Sequence, residues 1–270
     1  MIDLSIIIVT YNSQDYISDL LDSIKASPDK LKKEIIIIDN ASQDKSVGAV
    51  KNHPLKPILT ENNINMGFSK AVNMGLKKAK GKFVLLLNPD TKLVSNCLQT
   101  LYEFAQKTKP LGAVAPRLLE PNGKPQPSVY KFPTIWNAIK KDFFFCKKCF
   151  GKYLPDNKTQ KIDVTVMAAF LIPASVIKKT GLLSEKFFMY YEDVEYCRRL
   201  KKHKLPVYYL PAAKVKHQHG ASGNFVFHLK SPLLASSKIY YGKFYSKVLN
   251  LVLWIGHKWQ VILRGKKFRD

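Results

Sequence analysis

Leu4 to Thr10 is an unbroken apolar, β-branched run, the pattern of a parallel strand buried on both faces. Apolar positions then move to helical spacing at Ile17, Leu20, Leu21 and Ile24, which predicts an amphipathic helix. Glu34 to Asp39 repeats the buried-strand pattern and ends in polar residues. Ile58 to Thr60 predicts a short third strand, residues 67–79 a helix, and Phe83 to Leu87 a fourth strand that stops at Asn88-Pro89-Asp90. Strands alternating with helices predict an α/β chain on a mostly parallel sheet flanked by helices. Ligands of such sheets lie beyond the carboxyl ends of the strands. The polar groups at those ends, Thr10-Tyr11-Asn12, Asp39-Asn40 and Asn88-Pro89-Asp90, are therefore expected to share one crevice.

The pattern changes from about residue 119. Pro and Gly turns lead into Phe143-Phe144-Phe145-Cys146-Lys147-Lys148-Cys149-Phe150, read as a variable, partly mobile excursion ending near 161. Val164 to Ile172 then reads as one strand, a helix begins near Glu192, and Val207 to Leu210 is a strand before a strand-like polar segment at His217. Residues 229–264 read as a helical tail. No internal repeat is present.

Composition narrows the picture. With 46% apolar and 11% aromatic residues among 270, the chain has material for a sizeable core and is not intrinsically disordered. The net charge of +24 is uneven. Residues 1–130 carry 17 bases and 12 acids, residues 131–270 carry 27 and 8, and from 213 onward there are 11 bases and one acid. That gradient predicts an anionic partner for the C-terminal half, a membrane surface or nucleic acid. Val248 to Leu263 is interrupted by Asn250, His257, Lys258 and Gln260, so it is not expected to span a bilayer. The start Met-Ile-Asp has no basic leader pattern, and four cysteines are too few for a disulfide framework. A reducing cytoplasm is the expected setting.

Several motifs fall away. No Gly-x-Gly-x-x-Gly follows the first strand, and the segment from Gly75 to Phe83 lacks the spacing and hydroxyl of a phosphate loop. Cys146-x-x-Cys149 has no second ligand pair at zinc spacing and reads as incidental. Asp90 is more informative. A carboxylate turned by Pro89 off a buried strand is rigidly placed for Mg²⁺ or Mn²⁺, which take few protein ligands and complete their shells with water and phosphate oxygens; the plainer reading is a helix cap. Glu192, Asp193 and Glu195 crowd a helix start after Phe187-Phe188-Met189-Tyr190-Tyr191. They either complement the helix dipole or supply a general base. His217 and His219 flank Gln218 in a strand-like segment; a lone histidine there is ordinarily structural, and one of the two is the candidate to complete the Asp90 metal site.

Six motifs occur in order: Ser5-Ile-Ile-Ile-Val-Thr-Tyr-Asn12, Ile37-Ile-Asp-Asn-Ala-Ser-Gln-Asp44, Asn65-Met-Gly-Phe68 with Ala71 and Asn73, Leu87-Asn-Pro-Asp-Thr91, Phe187 through Glu195, and Val215-Lys-His217. Over about residues 3 to 222 the chain resembles family 2 inverting glycosyltransferases of the GT-A fold, nearest the rhamnosyltransferase-like branch. The resemblance implies a Rossmann-like domain over 1–222, with about 1–118 binding a nucleotide-sugar and 119–222 forming the acceptor and catalytic part. A basic amphipathic tail would follow over 223–270. Thr10, Asn12 and Asp39 would line the nucleotide pocket, with Asn65, Gly67 and Asn73 closing over the nucleoside. Asn88 and Asp90 match the Asp-x-Asp motif with its first acid replaced. Asp90 and His217 would hold a divalent metal, Mg²⁺ or Mn²⁺, and Asp193 beside Glu192 would be the base. Ala168-Ala169 departs from a Gly-Ala pair near the donor sugar. The implied reaction moves a sugar from dTDP-rhamnose or a UDP-sugar to a lipid-linked or polysaccharide hydroxyl in cell-surface glycan synthesis.

Two other classes compete: a basic nucleic-acid-binding module, and a nucleotidyltransferase on a similar fold. The first is weakened by the apolar tail. If 246–264 is helical, Val248, Val252, Ile255, Trp259, Ile262 and Leu263 form one stripe, largely opposite Lys247, Asn250, His257, Lys258 and Arg264. Such a helix either lies on the inner face of the cell membrane, peripherally, or docks on the catalytic domain. The second lacks a phosphate-gripping signature after strand one.

Overall fold

The computed structural model describes residues 1–218 and 232–264. In chain order the elements are β1 (Leu4–Thr10), α1 (Ile17–Lys25), β2 (Lys33–Asp39), α2 (Ser46–Lys51), β3 (Ile58–Glu61), α3 (Phe68–Lys78), β4 (Phe83–Leu87), β5 (Thr91–Leu93) and α4 (Cys97–Lys107). There follow β6 (Ala113–Leu119), β7 (Val129–Tyr130), α5 (Ile135–Phe143), β8 (Gln160–Ile162), β9 (Val164–Thr165), β10 (Ala169–Pro173) and α6 (Ala174–Thr180). The last are α7 (Glu192–Lys202), β11 (Val207–His217), α8 (Pro232–Tyr241) and α9 (Lys243–Arg264).

The main sheet runs β3-β2-β1-β4-β10-β6-β11-β5, with β8 also on β11. β1 to β4 pair in parallel, as does β6 with β11, while β10 joins β4 antiparallel. β1 shows why its residues are uniformly apolar. Ile6 and Ile8 pack with Leu20, Leu98 and Leu101 on one face, whereas Ile7 packs with Val72, Leu86 and Phe170 on the other. Alternate side chains meet different helical layers, so no strand position is left to solvent.

Three expectations need correcting. Val164 to Ile172 is two strands, because Val166 to Ala168 turns between the small β7–β9 sheet and the main sheet. The excursion is ordered: it holds α5, β7 and β8, and Val129 bridges Tyr153 across it. The cysteine pair within it is not incidental, since Cys146 and Cys149 form a disulfide in the turn after α5.

The tail is helical but breaks at Gly242, whose φ of 81° is left-handed. α9 docks on α5. Tyr245 and Ser246 are at least half-buried and Leu249 is buried, Tyr245 Oη accepts from Ile135 N at 3.0 Å, and Gln260 donates to Asp142 at 3.3 Å. Phe244, Leu251, Trp254 and Ile255 face outward, so the apolar positions form two faces rather than one stripe. His219, the boundary at 222 and the side chains of Ile262, Leu263 and Arg264 lie outside the described residues. No helix among the described residues is long and apolar enough to cross a membrane.

Candidate active site

The carboxyl ends of β1, β2 and β4 meet the start of α7 around a cavity of about 500 Å³. Asn65, Gly67, Asn88, Asp90, Glu192, Asp193 and His217 line it, as expected, but Thr10, Asn12, Asp39 and Asn73 do not. Asp39, at the end of β2, accepts from Thr10 Oγ1 at 2.8 Å, Ser42 N at 2.9 Å and Ser42 Oγ at 2.6 Å. Asn12 takes a positive φ of 48° and accepts from Gln43 N at 2.8 Å. These three residues tie the β1 and β2 loops together. The cavity wall itself is made by Tyr11, Ser13 and Asn40. Asn40 donates to Asn65 Oδ1 at 2.8 Å and accepts from Met66 N at 3.1 Å, which fixes the loop leading into α3.

Gly67 is needed there. Its φ is 84°, and a Cβ would lie 2.5 Å from the Phe188 carbonyl oxygen, which instead accepts from Phe68 N at 2.7 Å. Asn73 works at the other end of the same segment. Its amide exchanges hydrogen bonds with the Leu183 backbone at 2.9 and 3.0 Å and donates to Glu185 at 2.9 Å. Together they hold residues 183–191 so that α7 opens into the cavity.

Asp90 sits in the turn after β4 and is 6% exposed. Burial pushes its carboxyl up to about 6. Its Oδ1 has no hydrogen-bond partner among the described residues, and His217 Nε2 lies 3.6 Å away, within ion-pair range but too far for a hydrogen bond. β11 delivers His217 inward because its burial alternates from Ala213 to His217. On the other side of the ring, Gln126 Oε1 lies 2.8 Å from Nδ1. An accepting Oε1 places the proton on Nδ1 and turns the Nε2 lone pair to the cavity, the usual orientation of a metal-binding histidine. An orphaned buried carboxylate oxygen beside an oriented imidazole fits a divalent cation that takes its other oxygens from phosphate and water. Among the described residues no third acidic, His or Cys ligand joins them.

Glu192 and Asp193 face the cavity from the first turn of α7. Burial, then the neighbouring Asp193 charge, raises Glu192 to about 8, and its Oε2 has no hydrogen-bond partner among the described residues. Burial also raises Asp193, but Val194 N donates to its Oδ1 at 2.8 Å and Tyr130 Oη donates to its Oδ2, both opposing that rise. Tyr130, Phe150 and Lys152 line the cavity from the excursion. Sequence reasoning missed them, and Gln126 with them, because strand pairing far from α7 in sequence places them.

The sequence profile of the family described as Glycosyl transferase family 2 matches residues 5–180. The chain belongs to that family. It is 28% identical over 209 residues to the low-salt glycan biosynthesis hexosyltransferase Agl10 of Haloferax volcanii, covering 76% of this chain and 64% of that one. It is 23% identical over 238 residues to the N-acetylglucosaminyl-diphospho-decaprenol L-rhamnosyltransferase of Mycobacterium tuberculosis, covering 81% and 77%. Among solved structures, Staphylococcus aureus TarS 1–349 in complex with UDP-GlcNAc superposes with a TM-score of 0.62 at 16% identity, over 96% of this chain and 73% of that one. GalNAc-T7 with UDP, GalNAc and Mn²⁺ superposes with a TM-score of 0.65 at 16% identity, over 92% and 49%. These likenesses establish the glycosyltransferase fold of this family 2 chain.

Proposed function

We propose that this chain transfers a sugar from a nucleoside-diphosphate sugar to an acceptor hydroxyl with inversion at the anomeric carbon. The carrying observation is that one cavity holds Asp90 with His217 on one wall and the α7 carboxylates on another. Asp90 and His217 would hold a divalent Mg²⁺ or Mn²⁺, which when bound supplies counter-charge to a leaving diphosphate. The nucleoside would lie against Tyr11, Ser13, Asn40 and Asn65, with Thr10, Asn12 and Asp39 stiffening that wall and Asn73 and Gly67 setting its closure. Asn88 and Ala168 would flank the donor sugar. Asp193 accepts the acceptor's proton as the oxygen attacks the face opposite the diphosphate, and such base assistance contributes roughly 10² to 10⁴-fold. Phe188, Met189, Tyr190 and Met167 give the cavity an apolar lining.

One relative is named for rhamnosyl transfer to a diphospho-decaprenol and another for glycan biosynthesis, which supports a lipid-linked or glycan acceptor, and the fold neighbour solved with UDP-GlcNAc supports a pyrimidine donor. Such an acceptor lies at a membrane. The outward face of α9, with Phe244, Leu251, Trp254 and Ile255 exposed and Lys258 over the Trp254 ring, fits a peripheral contact with an anionic leaflet. The test is mass-spectrometric screening of dTDP-rhamnose and UDP-sugars with wild type and Asp193→Asn. Wild type should consume a donor, while Asp193→Asn should lose at least about 10²-fold in transfer and keep nucleotide affinity. Near-wild-type turnover by Asp193→Asn removes it as the base.

A further inference from the structure

We infer that Tyr130 is the positioning residue that makes Asp193, rather than the adjacent Glu192, the base of the site; this rests on the transfer reaction proposed above. Two carboxylates in consecutive positions at a helix start cannot share a cavity wall as equal anions, because like charges in a buried place raise each other's cost of ionisation. The surroundings separate them. Asp193 has a donor on each oxygen, Val194 N on Oδ1 and Tyr130 Oη on Oδ2. Glu192 Oε2 has none among the described residues.

Hydrogen bonds from neutral donors favour the charged form of their acceptor, so the anion settles on Asp193 and the proton on Glu192. The Tyr130 hydroxyl keeps its own proton, because burial and then the Asp193 charge push its titration well above the usual tyrosine range. The other groups facing Asp193 are Lys152, whose charge favours the anion, and Cys197 on α7, a buried thiol pushed up by burial. Tyr191, at the turn into α7, is raised as well, first by burial and also by Asp193.

The backbone explains why Tyr130 can hold one geometry. Tyr130 pairs with Val164 in the β7–β9 sheet, and Tyr153 N donates to Val129 O at 2.7 Å from the returning excursion. The hydroxyl is thus carried by paired strands, and the same return brings Lys152 to the cavity. One Asp193 lone pair is taken by Tyr130, and the carboxylate is held from turning while an acceptor hydroxyl approaches.

The test is the pH profile of kcat/KM for the full chain and for Tyr130→Phe, which removes one oxygen and keeps the ring in the wall. A hydrogen bond to a charged acceptor is worth roughly one pH unit or more in the acceptor's titration. The acid limb is therefore expected to move up by about one unit, with activity below the limb falling about tenfold and nucleoside-diphosphate affinity changing less than about twofold. An unshifted limb overturns the inference even where overall activity falls, since a merely structural tyrosine lowers the profile without moving it. If Tyr130→Phe does not fold, 3-fluorotyrosine at position 130, a stronger donor of nearly the same size, should move the limb down; an unmoved limb there overturns it equally. Asp193→Asn separates the two layers. Loss of transfer in Asp193→Asn with an unmoved limb in the position-130 variant rejects Tyr130 alone, whereas transfer retained by Asp193→Asn rejects the base assignment and Tyr130's role with it.

Discussion

Asp90 concentrates the chemistry of one cavity wall in a single atom. Its buried Oδ1 has no hydrogen bond among the described residues, and burial alone raises its titration to about 6, so ionisation there costs free energy unless a cation answers it. Asp90→Ala is therefore expected to abolish the metal dependence of nucleoside-diphosphate affinity. Calorimetry with and without Mg²⁺ or Mn²⁺ reads this directly, and an equal metal-dependent gain in both proteins would exclude Asp90 as a ligand. Asp90 was legible in the sequence because it follows directly on a buried strand, and His217 because its motif resembles the family's. Tyr130, Lys152 and Gln126 were not, since nothing in their local pattern separates a cavity residue from an ordinary turn or edge residue. Thr10, Asn12 and Asp39 show the reverse. Their motif is plain, yet Thr10 donates to Asp39, Asp39 accepts from Ser42 and Asn12 accepts from Gln43, which draws their polar atoms into the loop scaffold.

At the scale of elements, the contact of α9 with α5 decides how the tail is used. Gly256 lies against Asp142, and a Cβ built on it would stand 2.5 Å from Asp142 Cβ and Oδ2. Phe143 stacks on Trp259 at 6.3 Å beside the same contact. Gly256→Ala should force the two helices apart. Overpacking of this kind costs roughly 1–3 kcal/mol, partly offset by the better helix propensity of alanine. The expected outcome is faster proteolysis within α9, measured by limited digestion, with the Tm lowered by a few degrees. Digestion at the wild-type rate would mean that the docked arrangement does not persist in solution. Helical spacing alone suggested one apolar stripe in this helix. The docked residues and the outward Phe244, Leu251, Trp254 and Ile255 instead occupy separate faces, a distinction that only the position of α5 can make.

The whole molecule is an α/β body whose positive charge is weighted toward its C-terminal half. Bases near an anionic bilayer contribute roughly 1 kcal/mol each, and exposed Trp and Phe add an apolar term that salt does not screen. Flotation with anionic vesicles should therefore weaken with salt without vanishing. The triple change Phe244→Ser, Leu251→Ser and Trp254→Ser, all on exposed positions, should remove the salt-resistant part. Equal flotation of both proteins would reject this face, and tighter binding to duplex DNA than to anionic vesicles at physiological salt would favour a nucleic-acid partner. The sequence by itself determined the alternation of strands and helices, the strand-end crevice and the place of Asp90, because burial on two faces and strand termini leave a local imprint on residue choice; Asp193 and His217 were singled out by motifs that resemble the family's. Only the tertiary structure decided which motif residues face the cavity, that the region from 119 to 161 builds its wall, and which face of α9 is covered. Those outcomes depend on pairings between segments as far apart as Tyr130 and Asp193 or Asp142 and Gly256, and no local hydrophobic period encodes a partner at that distance.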